Sequence, residues 1–102
     1  MDLVVEGNQQ KLTVKVIGEI SAETTADLRE AISNLLPRHP QTIVIDLGET
    51  SFIDSMGIGA LMGLRAQLKK NSCDFSVANP QPRIREVFVL TRVASLLGLE
   101  EN

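Results

Sequence analysis

The chain has 102 residues, which suits one domain around one core, and we expect a single domain over 1–102. A domain of this length buries roughly two-thirds of the surface its unfolded chain exposes, so it folds without disulfide or metal staples. The net charge is −3, basic residues do not cluster beyond Lys69-Lys70 and Arg83/Arg85, and the aromatics are three Phe, which together argue against direct nucleic-acid binding.

In chain order, the run Leu3 to Glu6 and the alternating Lys11-Leu12-Thr13-Val14-Lys15-Val16 read as two strands. The turn residues Gly7-Asn8-Gln9-Gln10 between them predict a hairpin. Gly18 to Ser21 reads as a connection, with Ser21 as N-cap of a helix over 22–36 whose apolar stripe is Thr25, Leu28, Ile32 and Leu35. Pro37 and Pro40 end that helix. Thr42 to Leu47 is a β-branched run without alternation, the pattern of a central strand buried on both faces.

Thr50 and Ser51 read as loop, Phe52 to Gly57 reads as a turn that opens a helix, and that helix runs over about 56–70 with Leu61, Leu64 and Leu68 on its core face. Cys73, Phe75 and Val77 alternate as a further strand, and Pro82 opens a last helix carrying Ile84, Val87, Phe88 and Thr91. Leu96, Leu97 and Leu99 suggest a short final strand. Strand–helix–strand units imply parallel pairing with right-handed crossovers, so the predicted fold class is α/β with a mixed sheet.

Catalytic chemistry finds little to work with. One Cys (Cys73) and one His (His39) supply neither a disulfide nor a metal ligand set, so no metal or cofactor is expected. His39 reads as a solvated loop residue and Cys73 as a packed small hydrophobe. Gly57-Ile58-Gly59 fails the dinucleotide fingerprint, because Met62 stands at its third glycine. Ser55 fails the nucleophile-elbow pattern, because Ile53 stands where a glycine is required. The N-terminus has no basic, apolar leader and no apolar run is long enough for a bilayer, so we expect a cytoplasmic chain without membrane insertion.

What remains is Phe52-Ile53-Asp54-Ser55-Met56-Gly57, at the start of the second helix. The plain reading is that Asp54 or Ser55 caps the helix. A serine at a helix N-terminus is also a favourable phosphate carrier, because unpaired amides and the helix dipole stabilise the dianion. Gly57, Gly59, Ala60 and Gly63 keep this helix thin, although glycine costs about 1 kcal/mol against alanine in a helix. Ser55, Gly59, Met62 and Ala66 share one stripe, away from the leucine face and suited either to docking or to packing under a loop.

The segment Asp46-Leu47-Gly48-Glu49-Thr50-Ser51-Phe52-Ile53-Asp54-Ser55-Met56-Gly57-Ile58-Gly59-Ala60-Leu61 resembles the signature of the anti-sigma factor antagonists, the bacterial STAS domains. Gly18-Glu19-Ile20-Ser21 resembles the Gly-Glu-Leu/Ile-Asp loop of that family. The resemblance implies a STAS-type mixed β-sheet with helices packed mainly on one side. It implies a partner switch in which the unphosphorylated chain binds an anti-sigma factor serine kinase of the GHKL-type ATPase fold. It places the phosphate on Ser55, to be removed by a PP2C-type phosphatase. Asp46, Asp54 and Gly57 would shape the acceptor site, and Met56, Gly59, Met62 and Ser21 would meet the partner. Thr50 and Ser51 stand nearby as secondary acceptors. The same fold also serves as a non-phosphorylated structural subunit of lipid-transporting ABC complexes, the alternative function. Ser21 replaces a frequent aspartate, and Thr91-Arg92 replaces the usual Ser/Thr-Gly.

Overall fold

The computed structural model describes residues 1–99. Its elements run β1 (Asp2–Gly7), β2 (Lys11–Ile20), α1 (Thr25–Leu35), β3 (Thr42–Asp46), β4 (Thr50–Ile53), α2 (Ser55–Lys70), β5 (Asp74–Ala78) and α3 (Pro82–Leu90). A short 3₁₀ turn over Leu36–Arg38 follows α1.

β1 and β2 form the expected antiparallel hairpin. The carboxamide oxygen of Asn8 closes its turn by accepting from the amides of Gln10 and Lys11. β3 pairs β2 in parallel and β5 pairs β3 in parallel, giving the order β1-β2-β3-β5. Each parallel step is bridged by a helix, as the alternating strand and helix patterns predicted.

Side-chain alternation decides which face of the sheet carries the core. Leu12, Val14 and Val16 of β2 are buried while Thr13, Lys15 and Ile17 between them are only half-buried. The register sets Leu12 beside Ile43 and Val14 beside Ile45, so the buried row continues into β3. Leu28, Ile32 and Leu35 of α1 and Leu61, Leu64 and Leu68 of α2 pack onto this row in one continuous cluster, joined by Ile84 and Phe88 of α3. The cluster is aliphatic apart from Phe88 and Cys73, as a chain without Trp or Tyr requires.

Four expectations need correcting. Gly18 to Ser21 is not simply a connection, since β2 runs on to Ile20. The segment before α2 is not wholly loop, since Thr50–Ile53 forms β4, parallel to the far end of β2 with a register shift between Gly18 and Glu19. β3 covers only Lys11 to Lys15 of the long strand β2, and β4 takes up Gly18 to Ile20 beyond it. Ser21 does not cap α1. The helix starts at Thr25, behind a turn in which the amides of Thr24 and Thr25 both donate to the Ser21 carbonyl.

The fourth correction concerns Leu96, Leu97 and Leu99, which form no strand: Leu96 and Leu97 lie in a turn and Leu99 follows it. Gly98 has φ 71 and Arg92 has φ 62, both incompatible with extended chain. A single backbone bond, from the Val77 amide to the Leu97 carbonyl, ties this segment to β5. Arg92 thus takes the left-handed conformation that a glycine there would adopt more easily.

Candidate functional site

α2 begins where β4 ends, and Asp54 makes the junction. It is the N-cap in extended conformation, and its Oδ1 accepts from the Gly57 amide at 2.7 Å. Its Oδ2 accepts from the Ala22 amide at 3.1 Å, across a sequence separation of 32. Its own amide donates to the Ile20 carbonyl, 3.3 Å, and its carbonyl accepts from the Ile58 amide as the first bond of the helix. One residue therefore ties the start of α2 both to the end of β2 and to the turn before α1.

Ser55 is the first residue of α2 and its side chain is exposed. The amides of Ser55 and Met56 lie in the first turn, where an α-helix offers its own N–H groups no partner. No acidic side chain lies in that first turn, and Lys69 and Lys70 occupy the last one. The positive end of the helix dipole is therefore presented at Ser55, next to the capping Asp54 carboxylate.

Gly57 and Gly59 do different things. A Cβ on Gly57 would run into the Ile20 carbonyl oxygen and come within 2.7 Å of Ile53 Cγ1, so only glycine lets α2 sit this close to β2 and β4. A Cβ on Gly59 would meet nothing within 4 Å, and the same holds for Gly63. The close-approach reading of the thin helix start is thus correct for Gly57, whereas Gly59 and Gly63 are bare towards solvent.

The stripe Ser55, Gly59, Ala66 is exposed, with Met62 half-buried and leaning on the core beside Ile58. Met56 is 54% exposed, and Phe52, on β4 just before the helix, is 49% exposed. The two large apolar side chains flank Asp54 and Ser55 in sequence. Phe52 had no assigned role in the sequence, because its segment read as a turn. On β4 it lies exposed beside Ser51, between a buried Thr50 and a buried Ile53, a pattern without the alternation that marks a strand in a sequence.

Ser21 is brought to the site through its neighbour Ala22. Its amide donates to the Thr24 hydroxyl, 2.9 Å, which in turn donates to the Glu19 carbonyl. Asp46 stands apart from this cluster. Its Oδ1 accepts from the Gly48 amide at 2.8 Å and its Oδ2 from the Asn79 side chain at 3.3 Å, fastening the β3–β4 turn to the end of β5. Thr50 is fully buried and its hydroxyl donates to the Val16 carbonyl at 2.7 Å, whereas Ser51 is exposed.

His39 is exposed, with φ 51 at the end of the 3₁₀ turn, and Cys73 is buried. Among the described residues, no group of His, Cys, Asp and Glu is arranged to hold a metal ion. None of the described helices is long and apolar enough to cross a membrane.

A mixed sheet with this order, and a capped helix whose exposed N-terminal serine follows a short strand, define the class. The STAS domain family profile matches residues 2–102, and the chain belongs to that family. The anti-sigma-B factor antagonist of Staphylococcus aureus (strain NCTC 8325 / PS 47) is 27% identical over 104 aligned positions, covering 100% of this chain and 96% of the relative. A solved anti-sigma factor antagonist from Mycobacterium paratuberculosis superposes with a TM-score of 0.84 at 29% identity, covering 99% of this chain and 86% of that one. The phosphorylated form of the Bacillus cell fate determinant SpoIIAA superposes with a TM-score of 0.69 at 24% identity, covering 88% of this chain and 83% of that one. At that identity the last comparison speaks for the fold.

Proposed function

We propose that this chain is an anti-sigma factor antagonist, a partner switch controlled by phosphorylation of Ser55. The observation that carries the reading is the exposed Ser55 at the N-terminus of α2, flanked by the exposed apolar side chains of Phe52 and Met56. The similarity to anti-sigma factor antagonists over the whole chain supports the same role.

In this reading the unmodified surface docks a GHKL-type anti-sigma factor serine kinase, and so frees the sigma factor. Met56, Gly59, Met62 and Ser21 meet the partner, with Phe52 added as an apolar anchor. Gly59 and Gly63 let the partner backbone approach the helix, because nothing of this chain fills the space beside them. Asp54 and Gly57 shape the acceptor site directly, and Asp46 does so through the turn that leads into β4.

The kinase moves the γ-phosphoryl of ATP onto the Ser55 oxygen: the Oγ–P bond forms as the β,γ-bridging P–O bond breaks, ADP leaves, and the hydroxyl proton passes to a base of the kinase or to water. The product carries roughly −1.5 to −2 charges where an apolar contact has to form. The helix N-terminus steadies that charge in the free chain, while burial against a partner strips its water, so modification favours release. A PP2C-type phosphatase resets the switch. The chain is then a substrate in this cycle rather than an enzyme, needs no cofactor, and works in the cytoplasm.

Capture from a lysate of the native host with immobilised wild-type, Ser55→Ala and Ser55→Asp chains tests the proposal. Wild-type and Ser55→Ala chains are expected to retain a GHKL-type kinase. Ser55→Asp should bind it on the order of a hundredfold more weakly, as charge placed in a dry interface costs several kcal/mol. Equal retention by all three would overturn the switch, and copurification of a transporter ATPase instead would support a structural subunit.

A further inference from the structure

We propose that Asp54 is a positioning residue that couples the state of Ser55 to the turn Ser21–Thr24, so that a phosphate on Ser55 releases the Ala22 amide and loosens that turn. The inference rests on the phosphorylation reading above and goes beyond it, since it concerns where the modification is felt.

The geometry makes the two oxygens of Asp54 unequal. Oδ1 caps its own helix through Gly57 at 2.7 Å, within a single turn of chain. Oδ2 reaches Ala22 at 3.1 Å, on a different element. The longer bond is the weaker of the two and has no help from the helix dipole.

The turn it holds is otherwise closed on itself. Thr24 Oγ1 accepts from the Ser21 amide and donates to the Glu19 carbonyl, and the Thr24 and Thr25 amides return to the Ser21 carbonyl. Sideways, the Oδ2 bond to Ala22 joins it to α2, beside the backbone bond from Asp54 to Ile20 at the end of β2. Both Ala22 and Glu23 are exposed, so once that bond is lost the Ala22 amide faces water while the Thr24 bonds still hold the base of the turn.

A phosphate on Ser55 stands one residue from this carboxylate. Two anionic groups there repel each other, although they draw on different amides. The phosphate takes the Ser55 and Met56 amides, which the helix leaves unpaired, and the Asp54 carboxylate gives way where its hold is weakest, at Ala22. The result is a second change on the docking face. The partner meets an added charge at Ser55 and an altered turn at Ser21, the other end of the proposed surface.

The test uses the full chain with phosphoserine encoded at position 55, which needs no kinase, and reads amide hydrogen exchange by NMR. Ala22 should exchange about tenfold faster or more than in the unmodified chain, while Gly57 and the core amide of Leu61 keep their protection. The unmodified Asp54→Asn chain should reproduce the Ala22 change. Asparagine still caps through its one carbonyl oxygen, but its NH₂ group cannot accept from Ala22. Adding phosphoserine to Asp54→Asn should then move Ala22 no further.

An Ala22 rate within about twofold of the unmodified chain in the phosphoserine protein would overturn the coupling. So would full additivity in the double variant. Should the native chain carry no phosphate on Ser55, the functional proposal fails by that separate measurement, whatever the exchange rates show.

Discussion

Gly57 and Gly59 lie two residues apart on one helix, yet a methyl group at each has opposite consequences. At Gly57 it collides with the Ile20 carbonyl and with Ile53, neither of which can swing away. Gly57→Ala should therefore destabilise the fold by about 1–3 kcal/mol, the range for overpacking. At Gly59 the space is open, so Gly59→Ala should stabilise it by about 0.5–1 kcal/mol through helix propensity. Urea midpoints at constant slope measure both. If Gly59 serves docking, the more stable Gly59→Ala chain should also bind its kinase more weakly. A stable variant with unchanged affinity would remove Gly59 from the proposed interface.

At the scale of elements, β4 fixes which hydroxyl a kinase can reach. Thr50 is buried with its hydroxyl bonded to Val16, so phosphate there requires β4 to leave the sheet. No phosphate is expected on Thr50, and Thr50→Val should cost about 1 kcal/mol in urea unfolding, the net worth of one hydrogen bond. A phosphorylated Thr50 in the folded chain would contradict the strand. The β4 strand was not legible in the sequence for a physical reason. Its four residues are too few to set up a period, and they pair because β2 outruns β3.

The start of α1 was missed in a related way. Ser21 has the chemistry of a cap, but its carbonyl closes a separate turn with the Thr24 and Thr25 amides, and the helix starts only at Thr25. The long periodic pieces were readable because burial enforces their period. Leu12/Val14/Val16 and Leu61/Leu64/Leu68 occupy the faces their spacing assigned. The three leucines near the C-terminus misled, because hydrophobicity alone does not tell a strand from a turn that buries one leucine, Leu97, and leaves Leu96 exposed. Of the site, the sequence offered Asp54 or Ser55 as the cap, and a close approach by the sheet or a partner at Gly57, Gly59, Ala60 and Gly63 together, without telling these residues apart. The link from Asp54 to Ala22 joins residues far apart in the chain, and no local pattern signals it.

At the scale of the whole molecule, the helices close one face of a mixed sheet and leave β1 as a solvated edge, with Val4 39% and Val5 40% exposed. Cys73 lies inside, against the core. Burial pushes its thiol pKa up, the Ile43 backbone hydrogen bond pulls it partly back, and the nearby Asp74 charge adds to the rise. The folded chain therefore holds this proton at a pH where the unfolded chain releases it. The resulting stability is fully present below the unfolded thiol's pKa and is lost as pH rises through the raised folded value. Alkylation by iodoacetamide at pH 8 should be on the order of a hundredfold slower in the folded chain than in urea. Equal rates would mean that Cys73 is not held in the core.

Whether Ser55 is the switch is read by mass spectrometry of the chain isolated from its own host. Peptides spanning 47–65 separate Ser55 from Thr50 and Ser51 by fragmentation. A phosphate on Ser55 whose occupancy changes with growth condition is expected. Peptides that stay unmodified at Ser55 under every condition would contradict it, and would leave Ser55 as the first residue of a helix that Asp54 caps.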